Sequence, residues 1–78
     1  MNAEIEAIEK AVLDYERGRM MRSDSEAEID LFDGKVWLCD YSESRGSAEF
    51  VKDLCREDDI DLDELAELCD RHGWAYVL

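Results

Sequence analysis

The sequence predicts a small single α+β domain spanning residues 1–78, in the order α-β-β-α-α-β, with a three-stranded, mainly antiparallel sheet and helices packed on it. Three observations predict it. Residues 3–17 place apolar side chains at helical spacing, residues 26–32 and 35–41 alternate around Asp33-Gly34, and residues 48–72 return to helical spacing before a short apolar end at 74–78. A chain of 78 residues makes one domain. Folding at this length buries only about 60% of the surface the unfolded chain exposes, so the core is thin. The apolar fraction of 46% is ample and periodic, which sets the chain apart from a disordered polyanion.

In the first helix Ile5, Ile8, Val12 and Tyr15 fall on one face. Asn2 suits the cap, Glu4 and Glu6 the first turn, and Arg17, Arg19 and Arg22 follow the end, an order that complements the helix dipole. Gly18 either ends this helix or weakens it there.

A hairpin follows. Asp33-Gly34 is a favoured two-residue turn because both positions must tolerate positive φ. Around it Leu31 faces Val36 and Ile29 faces Leu38, giving one aliphatic side. The other side carries Glu28, Asp30, Phe32, Trp37, Cys39 and Tyr41. Its rings are expected to form a second packing layer, with the first helix as a candidate cover.

After a polar loop at 42–46, Ser47 is read as the cap of a short helix over residues 48–56, with Phe50, Val51, Leu54 and Cys55 inward. A third helix begins near Asp61, which with Glu64 forms a capping-box pattern, and carries Leu62, Leu65, Ala66 and Cys69 on its apolar stripe. Asp63, Glu67 and Asp70 line a different face. Gly73 is a left-handed terminator with Trp74 placed for the usual hydrophobic contact, and residues 74–78 form a last strand joined to the hairpin.

Charge is the functional clue. Twenty-two carboxylates stand against nine Lys and Arg, a formal net charge of −13. Duplex DNA carries one phosphate per roughly 1.7 Å of axis, so this charge equals that of about 22 Å of duplex, on a body expected to be about 30 Å across. Useful net charge for a small domain has a magnitude of about 2–8, and charge beyond that destabilises the compact state by self-repulsion. The surface repels nucleic acid and membranes and attracts basic grooves, so neither direct nucleic-acid binding nor membrane association is expected. The acid is concentrated after the first helix.

Catalytic and metal constellations are weak. Nucleophilic catalysis needs a Ser or Cys beside a base held by a third group, and His72 is the single imidazole. No nucleophile elbow or phosphate loop occurs, so no enzyme and no cofactor are expected. Asp59, Asp61 and Asp63 alternate as at the start of a calcium loop, but Glu64 occupies the required glycine position. Cys69 and His72 make one close pair where structural zinc usually takes two. Cys39, Cys55 and Cys69 form no C-x-x-C pair and read as reduced thiols. No leader or membrane-length apolar run is seen, which suggests a cytoplasmic protein.

The expected activity is therefore binding to a basic protein surface. The candidate contact residues are Glu26, Glu28 and Asp30 on the hairpin, with Asp58, Asp59, Asp63, Glu67 and Asp70 around the third helix. In length, acidity and segments such as Glu57-Asp58-Asp59-Ile60-Asp61-Leu62-Asp63-Glu64, the chain resembles the small phage-encoded anti-CRISPR proteins that inhibit type I surveillance complexes. The resemblance is one of character along the whole chain and carries over no individual residue. It implies a DNA mimic that blocks target engagement by a CRISPR effector subunit in the host cytoplasm. The alternative is an acidic adaptor or regulatory subunit docking on a basic protein unrelated to DNA.

Overall fold

A computed structural model describes residues 3–18, 25–42 and 48–78. Helix α1, Ala3–Gly18, forms where the periodicity places it and buries Ile5, Ile8 and Val12. The expected cap Asn2, the flanking Arg19 and Arg22, residues 43–46 of the expected loop and the expected cap Ser47 lie outside the described residues.

Strands β1, Ser25–Phe32, and β2, Lys35–Ser42, make the hairpin. Asp33 and Gly34 both have positive φ, 56° and 74°, and Leu31 pairs with Val36 and Ile29 with Leu38. The Asp-Gly turn thus fixes the register that puts the four aliphatic residues on one side.

Residues 48–56, expected to be helical, form strand β3, Ala48–Arg56, antiparallel to β2. Two register irregularities, between Val36 and Trp37 and between Leu38 and Cys39, leave Leu54 and Val51 without a facing partner. Each bulge inserts one residue and breaks strict alternation. The apolar residues therefore show a one-four-five spacing that imitates a helix. Pairing with β3 satisfies the row of backbone groups that β2 would otherwise leave open.

A single 3-10 turn, Glu57–Asp59, then leads to helix α2, Leu62–His72. The Glu57 N–H donates to the Gly34 carbonyl at 3.0 Å, tying this corner to the hairpin turn. Asp61 caps α2 as expected, its side chain accepting from the Asp63 N–H at 2.9 Å. Gly73 ends it in the left-handed region at φ 71°, and the Trp74 N–H donates to the Cys69 carbonyl at 2.9 Å. The last strand, β4, Ala75–Val77, pairs parallel to β1.

The sheet is thus four-stranded and mixed, in the order β3-β2-β1-β4, rather than three-stranded and mainly antiparallel. The α+β class stands, with two α-helices among the described residues where three were expected. Both helices pack on the aliphatic face: Ile5, Ile8 and Val12 from α1 and Leu65, Leu68 and Cys69 from α2 meet Ile29, Val36 and Leu38. Burying each large aliphatic side chain contributes about 1.5–3 kcal/mol. Helix α1 therefore does not cover the aromatic side, and among the described residues no other element does.

Candidate functional site

Strand alternation builds the outer face of the sheet. Trp37 and Asp30 stand opposite each other in register, as do Cys39 and Glu28, and Cys39 and Phe50. Phe50 joins the rings: its centroid lies 5.5 Å from Phe32 and 5.2 Å from Trp37, the latter edge-on. The Trp37 indole N–H donates to the Phe32 carbonyl at 3.1 Å, which fixes the ring's orientation. At the turn end Lys35 pairs with Asp53 at 3.1 Å, its ammonium 5.9 Å from the Trp37 ring centroid.

Beside the rings, Asp30 is half-buried and accepts from the Tyr41 hydroxyl at 2.7 Å. Its other oxygen is buried with no hydrogen-bond partner among the described residues. These carboxylates act on their neighbours. Hydrogen bonds to Asp30 and Glu28, then burial, raise the Tyr41 hydroxyl above its ordinary pKa. Burial first, and then the charge of Asp30, push the Cys39 thiol up to about 12. Cys39 is accordingly a packed, protonated thiol and no nucleophile at neutral pH.

The second acidic group lies elsewhere. Asp58 and Asp59 sit exposed on the 3-10 turn, and Asp63, Glu67 and Asp70 project from the exposed face of α2. Asp70 accepts from the Tyr76 hydroxyl at 3.0 Å. Because α2 packs on the inner face of the sheet, Asp63, Glu67 and Asp70 point away from Glu28 and Asp30. The candidate residues therefore form two separate surfaces. Glu26 belongs to β1 opposite Tyr41 in register, and its side chain lies outside the described residues.

Between Glu57 and Asp70 eight carboxylates occur without one Lys or Arg. Among the described residues, Asp58, Asp59, Asp63 and Glu67 form no ion pair; the pairs present join Lys10 and Arg17 to Asp14, Lys35 to Asp53, and His72 to Glu9. Arg71 borders the shallow recess that Glu64, Glu67 and Asp70 also line. Along the longest extent, 34 Å, a duplex would carry about 20 phosphates, so a net charge of −13 is roughly two thirds of that density.

Two arrangements were not anticipated. Asp40 is buried on the helix side of the sheet and accepts a hydrogen bond from the Tyr15 hydroxyl of α1. The signal was available, since alternation from Val36 and Leu38 leads to Asp40. His72 contacts Glu9 at 2.8 Å, linking α2 to α1, and stacks on Trp74 with centroids 4.1 Å apart. Chain spacing holds no sign of the long-range His72–Glu9 contact.

For metals, Asp61 is engaged as the α2 cap and Cys69 is packed in the core, where burial pushes its thiol up to about 11. Among the described residues no three His, Cys, Asp or Glu gather as a metal site, and no helix is long and apolar enough to cross a membrane. Comparison with family models, with curated proteins and with solved structures gives no match to this chain. The functional reading rests on the residues themselves.

Proposed function

We propose that the chain is an acidic inhibitor that occupies a nucleic-acid-binding site on a basic protein complex, of the kind that small anti-CRISPR proteins use against type I surveillance complexes. One observation carries this reading: the base-free run of eight carboxylates from Glu57 to Asp70, with Asp63, Glu67 and Asp70 exposed along α2. The eleven residues of α2 rise about 16 Å. One DNA strand places about five phosphates in that distance, and α2 offers Asp63, Glu64, Glu67 and Asp70. Carboxylates at this density stand in for phosphates before Lys and Arg, steering association and weakening it as salt rises.

The test uses a purified type I surveillance complex and its target duplex. Added protein is expected to abolish duplex binding, and Asp63→Lys with Glu67→Lys to restore it. Undiminished duplex binding at saturating protein contradicts the proposal for that target. A complex with any basic protein that excess duplex DNA fails to displace favours the adaptor alternative, which the exposed Phe32 and Phe50 rings of the sheet also suit.

A further inference from the structure

Apolar rings on a highly charged domain are normally buried or absent, because a contiguous exposed apolar patch costs solubility. Here Phe32 and Phe50 are 59% and 47% exposed, and they meet each other on the outer face of the sheet, which no element among the described residues covers. Val77, on the neighbouring β4, adds a 60% exposed side chain on the same side, paired in register with Asp30. The patch is preorganised, since the Trp37 indole is held by the Phe32 carbonyl and braced edge-on by Phe50.

We infer that this outer face, centred on Trp37 and Phe50 and bordered by Glu28 and Asp30, is a docking surface for an arginine-bearing extended segment of a partner protein. It is a second surface, distinct from the α2 ridge, and does not depend on that ridge mimicking nucleic acid.

Charge selects the occupant. A second copy would bring another net charge of −13 against the first, and nucleic acid would bring phosphates against Glu28 and Asp30. A cationic segment with apolar alternate positions meets both parts of the patch. Arginine fits better than lysine, because a guanidinium stacks flat on an aromatic face and offers paired N–H donors to a carboxylate. Asp30 is suited to receive that charge. Half-buried, with one oxygen accepting from Tyr41 and the other buried, it adds a negative field beside the rings rather than a free bidentate acceptor. The sheet already shows such chemistry once, where Lys35 approaches the Trp37 ring while pairing with Asp53.

Dimensions agree. Phe50 on β3 and Asp30 on β1 are separated by two strand spacings, about 10 Å. Alternate residues of an extended peptide repeat at roughly 7 Å, and an arginine side chain spans the remainder.

The test titrates the isotope-labelled full chain with a blocked Gly-Arg-Val-Arg-Val-Arg-Gly peptide, followed by NMR at about 150 mM salt, where distant surface charges are screened. The expected shifts fall on Phe32, the Trp37 indole N–H, Phe50 and Val77. The lysine counterpart binds several-fold more weakly, and Phe50→Ser or Asp30→Asn weakens the arginine peptide by roughly tenfold. Phe32→Ser serves as a second variant if Phe50→Ser fails to fold. Shifts confined to Asp63–Asp70, or equal binding of both peptides untouched by the substitutions, overturn the inference. So do concentration-dependent shifts on this face without peptide, which assign it to a second copy, or tighter binding there of a thymidine oligonucleotide. Failure here leaves the α2 ridge untouched, since that ridge is tested by duplex competition.

Discussion

Replacing Glu67 by Lys should stabilise the domain while weakening its proposed contact with a basic partner. Glu67 lies mid-helix and exposed, four residues after Asp63, three after Glu64, three before Asp70 and four before Arg71. Like charges at these spacings destabilise a helix by about 0.2–0.5 kcal/mol per pair, and opposite charges stabilise it by as much. Reversal converts three repulsions into attractions and one attraction into a repulsion. The net is two full swings, or about 1–2 kcal/mol in favour of folding. For a domain of this size 1 kcal/mol moves Tm by roughly 4–8 °C. Thermal melts followed by circular dichroism in low salt should show the rise. It should shrink in about 1 M salt, where the screening length falls to about 3 Å. A variant that melts lower than the parent, or whose gain is unchanged by salt, refutes the view that carboxylate crowding on α2 strains the fold.

Three further outcomes follow from the same geometry. Tyr41→Phe removes a hydrogen bond to a carboxylate and should lower stability in urea by about 1.5–3 kcal/mol, with Asp30→Asn softening the loss. Because the folded pKa of Tyr41 is raised above its ordinary 10, its contribution is complete below about pH 10 and disappears as pH climbs through the folded value; alkaline unfolding monitored by tyrosinate absorbance should begin earlier in Asp30→Asn. Thiol titration of the native protein at neutral pH should label half-buried Cys55 first, with Cys39 and Cys69 reacting on unfolding; immediate reaction at all three contradicts their burial. Gly73→Ala meets no atom within 4 Å but must hold φ 71°, so denaturant melts should show a loss of about 1–2 kcal/mol, and an unchanged midpoint argues against the left-handed stop.

Elements governed by local chemistry were legible in the sequence. The hairpin register follows from Asp33-Gly34 and strict alternation, and α2 begins and ends where Asp61 and Gly73 dictate. Strand β3 was not legible. Its two bulges turn the spacing of Phe50, Val51, Leu54 and Cys55 into a helical imitation, and its identity is decided by the open edge of β2, a tertiary demand. The candidate acids were legible as a set but not as surfaces. Placing Glu28 and Asp30 on one side and Asp63 and Glu67 on the other requires knowing which face the helices choose.

That choice explains the exposed rings. With residues 48–56 in the sheet, two helices remain among the described residues, and the apolar stripes of both are used up against Ile29, Val36 and Leu38. Nothing among the described elements is left to cover Trp37, Phe50 and Phe32. Self-repulsion on α2 and the exposed Phe32 and Phe50 rings on the sheet both tax a chain with a thin core, through unrelated physics. Phe32 and Phe50 and the outer acids of α2 are exposed, so a fold selected for stability alone could replace either set by surface substitution. Retaining both agrees with the two contacts proposed above, one through the charge density of α2 and the other through rings beside a half-buried carboxylate. The two contributions separate by experiment: binding lost with salt belongs to α2, and binding that persists in salt but fails in Phe50→Ser belongs to the sheet.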